Sequence, residues 1–133
     1  MKHLILVLIL SSCAHVYGQQ KESITTMDFV QILNDNEPEA VYYFQNNWKV
    51  LRESAIKKGH IESFQVMETP FTEDAPFDLI LITTYENKAQ YDLREAHFRE
   101  LIKEMGELKL MNERKPNEFR KTIFSKEMVR HWK

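Results

Sequence analysis

A chain of 133 residues with 18 Lys and Arg against 20 Asp and Glu carries a formal charge of −2. With no basic block anywhere, that balance argues against a nucleic-acid grip built on counterion release. A single cysteine, Cys13, excludes an internal disulfide in any compartment, so stability must come from packing.

The first residues read as an export signal rather than as fold. Met1-Lys2-His3 is a short basic start, Leu4 to Leu10 an unbroken apolar run and Ser11 to Gly18 a tail for processing. Two processing readings stand side by side. Val16-Tyr17-Gly18 suits a signal peptidase that leaves Gln19 first, while Leu10-Ser11-Ser12-Cys13 resembles a lipobox in which Cys13 carries a lipid anchor. The run is too short to cross a ~30 Å hydrocarbon core, which takes about 20 residues, and no later run approaches that length. Residues 1–18 are therefore set aside as a signal peptide, and the expected location is periplasmic or secreted. Loss of the leader removes Lys2 and none of the acids, taking the charge to −3. About 115 residues remain, the size of one domain with one core.

In chain order, Ile24 to Leu33 ("ITTMDFVQIL") is β-branched and apolar and predicts a first strand, closed by "NDNEP". From Pro38 to Lys58, Ala40, Phe44, Trp48, Leu51 and Ala55 step by three and four along one stripe, with Lys49, Glu53 and Lys57 opposite. That is a helix. It ends at Lys57-Lys58-Gly59, cations at the negative helix terminus followed by a residue free to take positive φ. Ile61 to Thr69 predicts a second strand and Phe77 to Tyr85 ("FDLILITTY") a third. Lys88 to Met105 predicts a second amphipathic helix ending at Gly106. Phe119 to Phe124 predicts a fourth strand after an irregular stretch broken by Pro116, and Ser125 to Lys133 either extends it or forms a tail.

The order is βαββαβ, an α+β, ferredoxin-like arrangement: a four-stranded antiparallel sheet with both helices on one face, over residues 24–126, with 127–133 as a C-terminal tail. Strand three should be long and central. It also poses a problem. Phe77, Leu79, Leu81 and Tyr85 point one way from it and Ile80 and Ile82 the other, so both faces are apolar, whereas helices can cover only one. At ~25 cal/mol per Å², leaving several Ile and Leu side chains wet forfeits several kcal/mol. Something must dock there.

The element order, the helix "PEAVYYFQNNWKVLRESAIKKG", the strand "FDLILITTY" and the following "QYDLREAHFRELIKE" resemble the dimeric α/β barrel superfamily, in particular its small exported bacterial members of unassigned function, from Ile24 to Lys126. The resemblance implies a homodimer in which two sheets press together into one eight-stranded barrel. It also implies two kinds of activity found in that superfamily, cofactor-independent monooxygenase or isomerase chemistry and, further off, haem binding. Relatives that bind haem place the axial histidine on the second helix, where His97 lies. The haem-degrading ones also use an asparagine on the first strand and a tryptophan on the third; here the first strand has no asparagine before Asn34, and Tyr85 ends the third.

There is no GxSxG, GxGxxG, Walker loop, HExxH or cysteine pair, and His60, His97 and His131 have no ligand spacing, so neither metal nor cofactor is expected. The polar residues that fall on apolar faces are the remaining candidates. Asn47, beside Phe44 and Leu51, is either a tie between the helix and a nearby carbonyl or a ligand contact, with Tyr43 nearby. Trp48 is core or a stacking platform. Arg94, three after Tyr91 and four before Phe98, needs an anionic or carbonyl partner: Asp78 or Glu86, solvent at the rim, or a ligand's carboxylate or enolate oxygen. His97 edges the same face, and Tyr85 ends strand three. Arg120 falls in a charged run and reads as part of a solvated edge or as a further inward group. Two functions follow: a non-catalytic small-molecule-binding domain whose helix–sheet cleft holds an apolar or anionic ligand, or an enzyme in which the same residues stabilise an enolate.

Overall fold

The computed structural model describes residues 22–132. The leader, both of its processing readings and Cys13 lie outside the described residues. Four strands, β1 (Ile24–Ile32), β2 (Ser63–Glu68), β3 (Leu79–Tyr85) and β4 (Arg120–Arg130), form one sheet in the order β2-β3-β1-β4 with every neighbouring pair antiparallel. This is an α+β fold, and β3 is an interior strand as expected. The longest strand is β4, with eleven residues.

The first helical segment begins where Pro38 allows, in the first turn. It is not one continuous helix. α1 (Glu37–Tyr43) passes through a π-helical turn, Phe44–Trp48, into α2 (Lys49–Lys57). The side-chain amides of Asn46 and Asn47 donate to the carbonyls of Tyr42 and Tyr43, four residues back, at 2.9 and 3.0 Å. Such bonds compete with the regular ladder, and here Lys49 N–H reaches back five residues to Phe44. The predicted stripe survives: Ala40, Phe44, Trp48, Leu51 and Ala55 are all buried. Gly59, at φ 70°, takes the left-handed turn after α2.

The second predicted helix is likewise divided, into α3 (Lys88–Asp92) and α4 (Arg94–Met105), by Leu93 at φ −87°, ψ −2°. Asn87 caps α3 by accepting from Gln90 N–H at 2.9 Å, and Gln90 returns a bond to Glu86 N–H. Pro116 does not break a loop but opens a short helix, α5 (Pro116–Phe119), at a position where its missing N–H is harmless. β4 then runs six residues beyond Phe124, through the segment read as tail. Its pairing with β1 slips twice, between Phe29 and Val30 and between Thr25 and Met27, and Met128 takes φ 55° at the second slip. Each bulge re-aims the side chains that follow it.

The helices pack on one face. Ile24 and Tyr85 lie with Leu51, Ala55, Tyr91 and Leu101, while Val30, Leu79 and Leu81 lie with Phe44 and Trp48; Phe64 packs against both groups. The opposite face carries Met27, Phe29, Met67, Ile80, Ile82 and Phe124, by the alternation of the paired strands. Phe29 stacks on Phe124 at 4.4 Å and meets Phe77 edge-on at 4.9 Å, yet Phe124 stays 42% exposed and Met67 41%. No helix among the described residues is packed on this face by those contacts. The division of strand three into a covered set, Leu79, Leu81 and Tyr85, and an opposite pair, Ile80 and Ile82, is as the sequence predicts, but Phe77, expected with the covered set, precedes the strand and packs on Phe29 and Phe124 on the open face.

Candidate functional site

The helix-facing surface of the sheet is not wholly apolar. In the β1–β3 register Thr26 pairs with Thr83 and Asp28 with Leu81, so a polar patch sits between the two apolar groups just described. Arg52 descends onto it from α2. It lies four residues after Trp48, and its guanidinium carbon is 4.1 Å from the Trp48 ring centre and 4.5 Å from that of Phe98 on α4. Its hydrogen bond, from Nε to Thr83 Oγ1, is long at 3.5 Å. Among the described residues no carboxylate comes within ion-pair distance of it. Burial pushes its pKa down to about 10, opposed by Tyr85, Asp28 and Tyr43 at longer range. At neutral pH it is still a cation, held between two rings and poorly paired.

The space before it is open toward β4. Ser125 pairs with Asp28 in register and donates to its Oδ1 at 2.6 Å, and Thr122 pairs with Val30, so both face the helix side; both are nevertheless exposed. The helix layer therefore buries the facing side chains of β3 and the ends of β1, while most of β2 and the facing side chains Thr122 and Ser125 of β4 stay exposed.

Other sequence candidates lie on the same side of the sheet. Tyr85 is buried, 5.5 Å from the Tyr91 ring, and burial raises its pKa, so its phenol stays protonated and can act as a donor. Arg94 lies over the Tyr91 ring at 4.0 Å and donates to the Tyr91 carbonyl at 3.2 Å. Its acids are the exposed Glu127 at 3.4 Å, which also accepts from the Tyr91 hydroxyl at 3.0 Å, and Glu95 at 3.8 Å. Asp78 is engaged elsewhere, accepting from Ile32 N–H at 2.7 Å. Arg120 donates from Nη2 to the Tyr43 hydroxyl at 3.1 Å, while its Nε is buried with no hydrogen-bond partner among the described residues. A buried guanidinium N–H without an acceptor is costly. Arg120 is thus no solvated edge.

Asn47 and His97 stand apart from this group. Both amide hydrogens of Asn47 are engaged, by the carbonyls of Tyr43 and Lys109, and its oxygen accepts from Lys109 N–H at 2.8 Å. It ties the π turn to the 107–115 loop. Asn112 and Arg114 fix the same loop to Glu39, whose carboxyl they hold below its ordinary 4.5, Asn112 most strongly. Trp48 is buried core and also the platform under Arg52. His97 is stacked flat on His60, ring centres 3.6 Å apart and planes 11° apart, with its Nδ1 buried and unpartnered. Among the described residues no three His, Cys, Asp or Glu side chains are grouped to hold a metal ion. A groove of about 420 Å³ lies elsewhere, between the π turn and the edge strand β2, its apolar lining of Val41, Phe44, Phe64, Val66 and Leu79 joined by Gln45, Lys49, Gln65 and Glu68.

Of the sequence candidates Trp48 touches Arg52, which sequence reasoning passed over, with Tyr85 and Tyr43 within its electrostatic range, whereas Arg94 lies apart with Tyr91 and Glu127. The signal was present: a charged residue four after Trp48 and three before Ala55 is on the apolar stripe. Asp28 and Glu127 were also missed. An acid in a β-branched strand and one in a presumed tail carry no mark of orientation.

No family model matches the chain, and no curated protein matches it. A solved structure that resembles it, HapK from Hahella chejuensis, superposes with a TM-score of 0.49 at 11% identity, covering 78% of this chain and 89% of that one.

Proposed function

We propose that this chain is a small-ligand-binding domain whose site lies between the helix layer and the sheet, with Arg52 as its fixed cation. The observation that carries this reading is the guanidinium held between Trp48 and Phe98 with, among the described residues, one long hydrogen bond and no ion-pair partner. A fold does not keep a desolvated cation for stability, since apolar residues of similar volume are as good or better there. A bound anion or polarised oxygen is what such a group complements. Arg94 with Glu127, and Tyr43 with Arg120, lie on the same side of the sheet.

The same proposal closes the open sheet face with a second copy. The βαββαβ chain path and the strand order support a ferredoxin-like arrangement of the dimeric α/β barrel kind. The Phe29–Phe77–Phe124 cluster with Ile80 and Ile82 forms an apolar, self-complementary surface suited to an isologous dimer. Export, periplasmic or secreted, rests on the leader sequence alone. The binding site in this reading needs no cofactor.

A catalytic reading has one observation in its favour: Arg52 and the protonated Tyr85 lie within electrostatic range of each other, a pair of donors that an enolate oxygen between them would use. Oxygen uptake with quinol-type substrates, lost in Arg52→Met, would support it. The binding reading predicts instead a saturable rise in melting temperature with small acids, absent in Arg52→Met, and no turnover. No stabilisation by any acid in a folded wild-type protein would refute it.

A further inference from the structure

We infer that the groove beside β2 is a docking site for an extended peptide segment of a partner protein, which adds to the free edge of β2 antiparallel to it and carries a basic residue at its amino-terminal end. This site lies apart from Arg52 and does not rest on the binding reading above.

Among the described residues β2 and β4 are the two edges of the sheet. They are built differently. β4 has two bulges, Met128 at positive φ and a row of charges from Arg120 and Lys121 to Lys126, Glu127 and Arg130, devices that keep an edge from pairing. β2, "SFQVME", has no proline, no lysine and no slip in its register with β3, and Glu68 at its end is its one charge. It is nevertheless exposed at every position but Phe64. A regular, open edge of this kind is a template for another strand.

The register determines which backbone groups are free. Thr69 N–H donates to the Asp78 carbonyl at 2.9 Å, and in an antiparallel ladder every second pair is bonded, so Ser63, Gln65 and Met67 turn their N–H and C=O toward β3. Those of Phe64, Val66 and Glu68 turn outward. The same three side chains line the groove of about 420 Å³, whose other wall is Val41, Phe44 and Lys49 of the first helical segment. An incoming strand thus gains ladder bonds along β2 and drops alternate apolar side chains between Val66 and the helix.

Charge sets the direction. Glu68 pairs with Leu79, beside the Ile32 end of β1 from which the first helical segment starts, and that segment runs toward the Ser63 end of β2. Val41 therefore faces the Glu68 end and Lys49 the Phe64 end. Glu68 also lines a second cavity, of about 330 Å³, with Asp35, Glu37 and Asp78 and no Lys or Arg. A strand antiparallel to β2 places a basic amino-terminal residue at these acids and its carboxyl end at Lys49, whereas a parallel strand reverses both. A second copy of this chain is a poor occupant: its β2 has no basic residue for the acids, and its β4 edge is bulged.

Full-length protein labelled with 15N is titrated with the peptide Arg-Thr-Val-Thr-Val-Thr, with a version N-methylated at both valines, and with one carrying Glu for Arg. Dispersion of the amide spectrum reports that each protein variant is folded. The first peptide should shift the Phe64, Val66 and Glu68 amides saturably. N-methylation removes two ladder bonds and should weaken binding by at least ~10-fold. Glu for Arg should weaken it by about 5-fold or more. Val66→Pro removes an outward N–H at a place where an edge strand tolerates proline, and should leave the spectrum dispersed while weakening the peptide about 10-fold. Equal affinity for the parent and N-methylated peptides would overturn the inference. So would dissociation of a dimer on Val66→Pro, which would give the edge to a second copy, or silence of these three amides to every peptide.

Discussion

Replacing Arg52 with methionine should make the protein more stable and abolish its binding. Methionine keeps an unbranched, polarisable stem between the Trp48 and Phe98 rings but removes the cation. The cost of that cation follows from its environment. Burial lowers the Arg52 pKa from the ordinary guanidinium range to about 10, which at 1.36 kcal/mol per unit disfavours the charged form by roughly 3 kcal/mol. At pH 7 the group is charged in both the folded and the unfolded chain, so the whole penalty is present there. Contacts with two aromatic faces return about 1–2 kcal/mol. A net gain of about 1 kcal/mol is therefore expected on substitution, or about 4–6 °C in Tm for a domain of this size. Urea unfolding followed by far-ultraviolet circular dichroism measures it. A loss of more than about 1 kcal/mol would refute the reasoning, because it would show that the guanidinium serves the fold rather than a ligand.

Three other substitutions probe the rest of the molecule. Ile82→Asp puts a carboxylate in the middle of the open sheet face and should weaken self-association by about 3 kcal/mol, roughly 100-fold in Kd, seen as dissociation in sedimentation velocity; an unchanged sedimentation coefficient would contradict the proposed interface. Asn47→Ala removes the bonds that tie the π turn to the 107–115 loop and should cost about 2–3 kcal/mol, with faster amide exchange at Lys109; a neutral effect would mean the loop is held without it. The His60–His97 stack predicts a pH dependence. Burial, then His97 and then Lys58 lower the His60 pKa below 6.5, so the unfolded chain binds more protons and stability is lost as the pH falls from about 6.5 through the lower folded value. His97→Ala should flatten that part of the Tm profile, and an identical slope would show that the stack does not couple the two rings.

The fold was legible where alternation and helical period were unbroken. The parity of Leu79 to Tyr85, the stripe from Ala40 to Ala55 and the glycine after each long helix are all as the sequence predicts. Breaks within elements were not, because they depend on local competition: the Asn46 and Asn47 amides open the π turn, and Leu93 divides the second helix. The site was half legible. Tyr85, Arg94, Trp48 and Tyr43 lie where their faces suggest, but Arg52 was hidden in the charged background of its helix. Two bulges in β4 decide which of its charged residues turn inward, so the partner of Arg94 is Glu127 rather than Asp78 or Glu86. Hydrophobic pattern cannot register such slips, since one extra residue exchanges the two faces of a strand.

Native mass spectrometry of the protein purified from its own host would test binding and assembly together. A dimer carrying one small acidic molecule per chain is expected, with the same dimer bare when Arg52 is methionine. A monomer with no adduct, indistinguishable between the two proteins, would contradict both the site and the interface.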